Sequence, residues 1–308
     1  MLELINKISQ NHFNTIISEA KDDLFKLEQF SVLKTFFSTR NFFSLSPIVF
    51  IADPFLFVYN EELFLFYEEQ INLTGKGVIK MVKTSDLKKW TKPITVLEED
   101  YHLSFPNVFL LDGQIYMMPE SGNDKCIKLY TPNEDLSQWI PYKTILEGSK
   151  FIDSSIVRDN NTLFLFTTDY NNQTNILRLF YSDSIDNSWV EHPLSPIAKG
   201  KDIGRCAGSL FNYQDKLYRP CQLTSSRYGE GVDLYEVLEL SCHNYKETKI
   251  KRLIPNSNKN YSTGGHHFNY CYFNDKKIVA TDILEIRFNF WEAIRRMTNK
   301  LLFKNHEN

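Results

Sequence analysis

From about residue 48 onward, short apolar runs alternate with polar turn residues. The stretch FLFVYNEELFLFYEE (residues 55–69) has two apolar runs on either side of a polar turn, the pattern of a β-hairpin. The same pattern recurs four times, in NVFLLDGQIYMMPE, SIVRDNNTLFLFTTD, SLFNYQDKLYRPCQ and FNYCYFNDKKIVATD. Each copy places Asn, Asp, Gln or Gly at its turn, where these residues tolerate the required backbone angles. The chain therefore contains five similar hairpins.

The hairpins are evenly spaced. Their leading residues are Asp53, Pro106, Asp153, Gly208 and His267, at intervals of about 50 residues. A second marker, an acidic turn that ends in Trp, falls at Trp90, Trp139 and Trp189 with nearly the same interval. Repeats of this length with about four strands each are typical of propeller blades, so we predict an all-β fold, a five-bladed β-propeller over residues 48–283. A β-sandwich with accidental spacing is the alternative.

The two ends of the chain have a different pattern. Residues 1–40 carry apolar residues at roughly helical spacing, which predicts an N-terminal helical segment (1–47) outside the propeller. Residues 284–308 predict a C-terminal helix, with Trp291, Ile294, Leu301 and Leu302 on one side and several cations elsewhere. Such a helix either docks on the propeller, which we favour, or contacts an anionic membrane peripherally.

Composition narrows the function. The 308 residues are 42% hydrophobic and carry a net charge of -3, which excludes a disordered chain and a basic nucleic-acid binder. The 24 Phe and 16 Tyr suit strands and also sugar-binding surfaces. Five cysteines without a CxxC pair indicate reduced thiols and no zinc site. The N-terminus lacks the pattern of a secretory signal and no apolar run reaches membrane-spanning length, so we expect a cytoplasmic location, membrane-associated if the C-terminal helix binds lipid.

Nucleotide and metal motifs do not occur in the sequence. There is no GxGxxG, Walker or HExxH motif, and no DxD pair follows a strand. We therefore predict no cofactor and no metal ligand, and leave open an ion in the propeller channel.

Carboxylates supply the candidate chemistry. In a propeller the first strand of each blade lines the channel, so Asp53 and Asp153 should meet at one mouth of it. Glu120 ends a second strand after an apolar run, a setting that raises a carboxyl pKa and suits a general acid. Glycosyl transfer needs a proton donor on one side of the sugar and a negative charge or base on the other.

Several motifs resemble one family. The order ADPF, HLSFP, YMMPES, FIDSS, GRCAG and GGHHF is similar to the propeller domain at the N-terminus of plant glucosamine inositolphosphorylceramide transferases, which also occurs in bacterial proteins of surface-polysaccharide pathways. The likeness spans roughly residues 48–283. More distantly, ADP and IDSS are similar to the five-bladed furanosidase propellers of glycoside hydrolase families 43 and 32. The resemblance implies a five-bladed propeller whose function involves carbohydrate.

The resemblance also implies roles for single residues. In the furanosidase-like pattern Asp53 supplies the general base or nucleophile, and Asp153 corresponds to the acid that tunes its neighbour's proton affinity. Glu68 aligns with an acid of the plant domain's own FFE strand. As alternatives, Asp53 is a turn residue that caps a strand and Asp153 is a blade-entry residue that binds backbone amides.

Further polar residues at the blade entries predict a substrate pocket. An arginine among acids suits a phosphate or carboxylate, so Arg205 favours a nucleotide-sugar or phospho-sugar donor. Single histidines are more often structural, but three at blade entries favour a pocket. The predicted substrate-binding set is Glu68, His102, Arg205, Arg219, Gln222, Tyr228, His266 and His267.

The sequence favours an enzyme of bacterial surface-polysaccharide biosynthesis. It would be a glycosyltransferase that uses Asp53, Glu120 and Asp153 at the channel mouth, with a sugar donor and a glycan acceptor as partners. One alternative is a furanoside-processing glycoside hydrolase. Another is a non-catalytic glycan-binding module that supports a partner transferase.

Overall fold

The protein folds almost entirely into β-strands, which confirms the predicted all-β class. Its strands form four sheets of eight, four, five and four members. Among the residues described, no helix is both long enough and apolar enough to cross a membrane. The computed structural model describes residues 9–171, 174–256, 259–261, 263–291 and 293–295.

The N-terminal segment consists of strands, so the predicted helix over residues 1–40 is wrong where the structure describes it. Strand β1 (Ser9–Ala20) is followed by a 3₁₀ turn (Leu27–Gln29) and strand β2 (Ser31–Phe36). Nor does the segment lie outside the propeller, because β1 is central in its sheet. Residues 1–8 lie outside the described part of the chain.

Tertiary pairing explains this difference. Phe13, Ile16 and Ile17 have helical spacing, but all three are buried because both faces of β1 pack in apolar clusters. Its β-branched residues also favour a strand, since they pack well on a pleated surface. A strand that is buried on both faces reads as a continuous apolar run, which periodicity alone does not separate from a helix.

Three antiparallel groups of strands follow in chain order. The first group holds β3 (Ile48–Tyr59), β4 (Glu62–Ile71), β5 (Gly77–Thr84) and β6 (Ile94–Leu97). The second group holds β7 (Ser104–Leu111), β8 (Gln114–Glu120), β9 (Cys126–Pro132) and β10 (Trp139–Glu147), with a 3₁₀ turn at Gly122–Asp124. The third group holds β11 (Phe151–Asp159), β12 (Thr162–Asn171), β13 (Thr174–Ser182), β14 (Val190–Glu191) and β15 (Ala198–Lys199).

Two more groups complete the fold. The fourth holds β16 (Phe211–Tyr213), β17 (Lys216–Leu223), β18 (Gly231–Leu240) and β19 (Tyr245–Ile254), followed by a 3₁₀ turn at Lys259–Tyr261. The fifth holds β20 (Phe268–Phe273) and β21 (Lys276–Phe288), together with β1 and β2. A single parallel pair, Phe13 with Phe50, joins the fifth group to the first and makes the eight-stranded sheet.

The five groups pack in a closed cycle. Apolar clusters join the first group to the second, the second to the third, the third to the fourth and the fourth to the fifth. A further cluster, which includes Ile17, Leu65 and Ile278, joins the fifth group back to the first. The N-terminal strand thus closes the ring by completing the last group. This cyclic order supports the predicted five blades, and the blade count itself stays a prediction.

Three of the leading strands carry the same β-bulge. The register of the hairpin shifts after Ala52, after Ser104 and after Ile152. The next residue in each case, Asp53, Phe105 or Asp153, has φ of +49°, +48° or +47°. Bulges re-aim a side chain and are common beside functional sites. An aspartate tolerates this left-handed conformation better than most residues.

The C-terminal segment begins as a strand. β21 continues to Phe288 because Leu284–Phe288 pairs with Ser9–Phe13 of β1, so the predicted helix does not start at residue 284. Residues 290, 291 and 293–295 are helical. The predicted helical positions Leu301 and Leu302 lie outside the described residues.

Candidate active site

Five carboxyl side chains lie near one another at one end of the leading hairpins. Burial raises the pKa of Glu68, and the negative charges of four other acids raise it further. These four are Asp53, Glu120, Asp153 and Asp282. Residues that are far apart in sequence therefore share one electrostatic environment, as the repeat predicts for Asp53, Glu120 and Asp153.

Asp53 is an ionised carboxylate held by its neighbours. Its Oδ2 accepts a hydrogen bond from the amide of Phe105 (3.2 Å), which belongs to the next group. Its Oδ1 lies 3.5 Å from His266 Nε2 and 3.5 Å from His267 Nδ1. Burial on its own would raise the pKa of Asp53, but the two histidines and Arg205 lower it to about 2.

Asp282 is a site residue that the sequence analysis missed. Its Oδ1 accepts the amides of His266 (2.7 Å) and His267 (3.1 Å), and its Oδ2 accepts the amide of Asp53 (3.3 Å). One signal was available. In the repeated sequence pattern Asp282 follows the second apolar run of its hairpin, as Glu68 does in its own. The carboxylate thus fixes the backbone on which both histidines stand.

His266 lies between two acids. Its Nδ1 is 2.5 Å from Asp282 Oδ2, and its Nε2 faces Asp53. Burial lowers the pKa of His266, but the two carboxylates outweigh this effect and the pKa is raised. His266 is therefore a cation over a wider pH range than a free histidine, and it compensates the buried charge of Asp53.

The same residues offer possible metal ligands. Among the residues that the structure describes, Asp53, His266 and Asp282 place one ligand atom each within 4.8 Å of one another. However, the Asp282 carboxylate already accepts three backbone amides. A carboxylate so occupied is better suited to orienting His266 than to binding an ion. The geometry favours a group of ion-paired side chains, Asp53, His266 and Asp282, over a metal centre.

A second ion-pair network surrounds Asp153. Its Oδ2 pairs with Nε of Arg205 and accepts a hydrogen bond from Gln222 Nε2 (2.8 Å). Arg205 also lies 3.8 Å from Glu120 Oε2, and its guanidinium is 5.5 Å from the ring centre of Tyr228. The charge of Arg205 is thus already shared by two carboxylates, which weakens the prediction that Arg205 is the anion-binding residue.

Glu120 and Glu68 are the candidate proton donors. Burial raises the pKa of Glu120, the charge of Asp153 raises it further, and Arg205 opposes both. Glu68 Oε1 lies 3.4 Å from His102 Nε2, while His102 Nδ1 accepts the amide of Gly77 (2.9 Å). The Gly77 position has no room for a side chain, because a Cβ there would lie 2.4 Å from Leu103 O and 2.9 Å from Glu68. Glu68 and His102 are therefore held in close contact.

A cavity of about 280 Å³ opens beside this cluster. Asp53 and Asp153 do not line it and are only 3% and 1% exposed. A substrate in the cavity therefore meets Glu120 and Arg205 before it reaches either aspartate. Its wall includes Glu120, Lys150, Tyr170, Lys201, Arg205 and Tyr228.

One predicted pocket residue lies elsewhere. Arg219 is fully buried and forms a two-pronged ion pair with Glu247, with N–O distances of 2.8 and 2.7 Å. Successive strand side chains point to opposite faces, so Arg219 and Gln222, three positions apart, point in opposite directions from β17. Gln222 therefore reaches Asp153, and Arg219 does not join the pocket. The other predicted site residues all lie in or beside the cluster.

Comparison with known proteins identifies the family of the chain. A family model described as the N-terminal part of glucosamine inositolphosphorylceramide transferase 1 matches residues 36–282. The chain belongs to this family. It is 35% identical over 220 residues to glucosamine inositolphosphorylceramide transferase 1 of Oryza sativa subsp. japonica, and 33% identical over 233 residues to that of Arabidopsis thaliana. These matches cover 69% and 72% of this chain but only 29% and 30% of the plant proteins.

Solved structures of glycoside hydrolases share the fold of this chain. A glycoside hydrolase family 43 protein from Bacillus licheniformis matches with a TM-score of 0.54 and 18% identity, covering 77% of this chain and 50% of that one. A family 32 β-fructofuranosidase of Bombyx mori in complex with sucrose matches with a TM-score of 0.55 and 16% identity, covering 81% and 62%. The predicted family and its distant likeness to these hydrolases are confirmed.

Proposed function

We propose that this protein transfers a sugar during the assembly of bacterial surface polysaccharide. Its partners would be a nucleotide-sugar or phospho-sugar donor and a glycan acceptor. One observation carries the proposal: the same buried cluster raises the pKa of Glu120 and lowers that of Asp53. Carboxyl groups whose pKa values are pushed apart suit the two halves of acid–base catalysis at a glycosidic bond.

Glu120 and Asp53 would have different roles in the transfer. Glu120, on the cavity wall, donates its proton to the oxygen of the leaving group. Asp53, kept ionised by His266, accepts the proton of the attacking hydroxyl or faces the positive charge of the sugar. Asp153 holds Arg205 beside Glu120, and Glu68 and His102 complete the polar surroundings. The plant relatives' names, which contain an amino sugar and a phosphorylated lipid, support a carbohydrate substrate.

Two alternatives have support of their own. The fold of the family 43 and 32 proteins favours hydrolysis of a furanoside. Asp53 and Asp153 are buried and do not line the cavity. This favours a glycan-binding module, because a catalytic base must come within hydrogen-bond distance of its substrate.

One set of assays separates these functions. The purified chain is incubated with nucleotide-sugars and glycan acceptors, with aryl furanosides, and with neutral oligosaccharides in a binding assay. We expect transfer that falls by about 10²–10⁴ in Glu120→Gln and Asp53→Asn. Glu98→Gln, which alters an exposed ion pair with Lys76, is the matched control. Furanoside hydrolysis without transfer would favour the furanoside hydrolase. Oligosaccharide binding without turnover would favour the glycan-binding module.

We also propose that the protein contacts a membrane from the cytoplasmic side. An exposed aromatic patch, defined as Phe42, Phe43, Leu45, Phe290 and Trp291, supports this proposal. Phe290 donates its amide to Phe42 O (2.9 Å), and its ring centre lies 5.7 Å from that of Phe43. Aromatic side chains beside cations are typical of surfaces that enter the interface of a bilayer.

The patch lies at the ends of two strands that carry site residues. Phe42, Phe43 and Leu45 precede β3, which contains Asp53, while Phe290 and Trp291 follow β21, which contains Asp282. The exposed guanidinium of Arg40 stacks 3.6 Å from the ring centre of Phe37 and adds a cation near the patch. All five cysteines are free, which suits a reducing compartment.

A further inference from the structure

Two lysines on the cavity wall stand apart from the ion pairs around them. Lys150 precedes β11, and Lys201 follows β15, so they reach the cavity from different segments. Both are exposed, and among the described residues neither has a carboxylate within ion-pair distance. By contrast, Lys76, Lys83 and Lys128 pair with a glutamate or aspartate. The two cavity lysines are therefore available to an external anion.

Local contacts hold both lysines at the cavity. The Lys150 ammonium lies 5.2 Å from the ring centre of Tyr170, another wall residue. The carbonyl of Lys201 accepts hydrogen bonds from the hydroxyl (2.8 Å) and the amide (3.1 Å) of Thr224, which also lines the cavity. These contacts restrain the ammonium of Lys150 and the backbone of Lys201, and so reduce the ordering cost on ligand binding.

The charge of the wall is positive on balance. Arg205 is paired with Asp153 and lies near Glu120, so its charge is compensated inside the protein. Within the described part of the chain, Lys150 and Lys201 have no such carboxylate partner. The charged residues of the wall are thus three cations, Lys150, Lys201 and Arg205, and one acid, Glu120. Such a cavity concentrates anions.

We propose that Lys150 and Lys201 bind the phosphate of a phosphorylated sugar, while the sugar ring lies against Tyr228 beside Glu120. This inference rests on the proposed function and assigns its substrate class. The volume of about 280 Å³ lies at the small end of ligand sites, which suits one sugar phosphate better than an oligosaccharide. The phosphate could belong to a sugar 1-phosphate or to a nucleotide-sugar, because both present the same anionic oxygens.

Calorimetric titration of the full chain tests the proposal. The probes are glucose 1-phosphate, UDP-glucose and, as the neutral counterpart, glucose. We expect both phosphorylated probes to bind at least tenfold more tightly than glucose. Lys150→Gln and Lys201→Gln should each weaken phosphate-probe binding by about tenfold, since hydrogen bonds to charged groups are strong. Lys150→Arg should retain binding, because it keeps the charge.

A lysine outside the cavity wall provides the control. Lys92→Gln removes an exposed lysine far from the cavity wall and should leave binding unchanged. Equal binding of glucose and glucose 1-phosphate, or unchanged binding in both cavity variants, overturns the inference. Preference for UDP-glucose over glucose 1-phosphate identifies the nucleotide-sugar as the source of the phosphate. Lysine-dependent binding without turnover leaves this inference standing and refutes the proposed transfer. Turnover that is unchanged in both lysine variants supports the proposed transfer and refutes this inference.

Discussion

The carboxylate of Asp282 lies 2.5 Å from Nδ1 of His266, on the opposite side of the ring from Asp53. Asp282 also accepts the amide of His266, so one side chain sets both the backbone and the ring of that residue. This contact keeps a cation beside Asp53 in a buried site. It is the structural reason that Asp53 is ionised although it is buried.

Replacing Asp53 should change stability in a pH-dependent way. Its pKa is lowered from 3.8 to about 2, so its charge stabilises the fold above pH 4 and this contribution is lost as the pH falls toward 2. Asp53→Asn should cost about 2 kcal/mol in the free energy of unfolding at pH 7 and less at pH 3. Urea unfolding at the two pH values measures this. Asp112→Asn, an exposed carboxylate, is the control, and an equal loss in both variants would contradict the prediction.

The catalytic proposal predicts a particular pH profile. Glu120 has a raised pKa and must be protonated to act as an acid, so the transfer rate should fall as the pH rises through that pKa. In Glu120→Gln this alkaline limb should disappear, and the remaining rate should be lower by about 10²–10⁴. Initial rates from pH 5 to 9 give the profile. An unchanged alkaline limb in Glu120→Gln would assign the acid to another group.

Arg219 should matter for stability and not for binding. Its guanidinium is fully buried against Glu247, so Arg219→Met leaves a buried carboxylate without its partner. Breaking a buried pair in this way costs about 3–5 kcal/mol. Thermal unfolding should show the loss, while the affinity for glucose 1-phosphate stays as in the native protein. A folded variant with weakened binding would place Arg219 in the pocket after all.

The aromatic patch predicts binding to lipid. Vesicles that contain anionic lipid should sediment the protein, and Phe43→Ser combined with Leu45→Ser should weaken this by tenfold or more, since each buried apolar side chain contributes about 1.5–3 kcal/mol. Ile140→Ser, at an exposed apolar position outside the patch, is the matched control. Equal sedimentation of both variants would exclude the patch as the contact.

Sequence reasoning worked where the signal is local and repeated. The hairpins at residues 55–69 and 107–120 predict their own strands, because apolar runs and polar turns specify a hairpin within one segment. The equal spacing then predicts that Asp53 and Asp153 occupy matching positions. Their shared bulge, with φ of +49° and +47°, shows that they do.

Tertiary structure decided what depends on distant partners. β1 carries helical spacing in its sequence, and it becomes a strand because β21 pairs along its whole length while β2 pairs with its second half. Arg219 and Gln222 look alike as polar residues of one strand, yet the alternation of side chains sends only Gln222 to Asp153.

By itself, the sequence determined the repeated hairpins and the all-β class, since these follow from local pattern and residue type. Only the folded chain decided that Asp282 orients His266, that Arg205 is neutralised by Asp153, and that Lys150 and Lys201 reach the cavity without a carboxylate partner among the described residues. The physical reason is that charge and burial depend on which segments meet in space. The ring of strands brings these segments together at positions that no single stretch of sequence encodes.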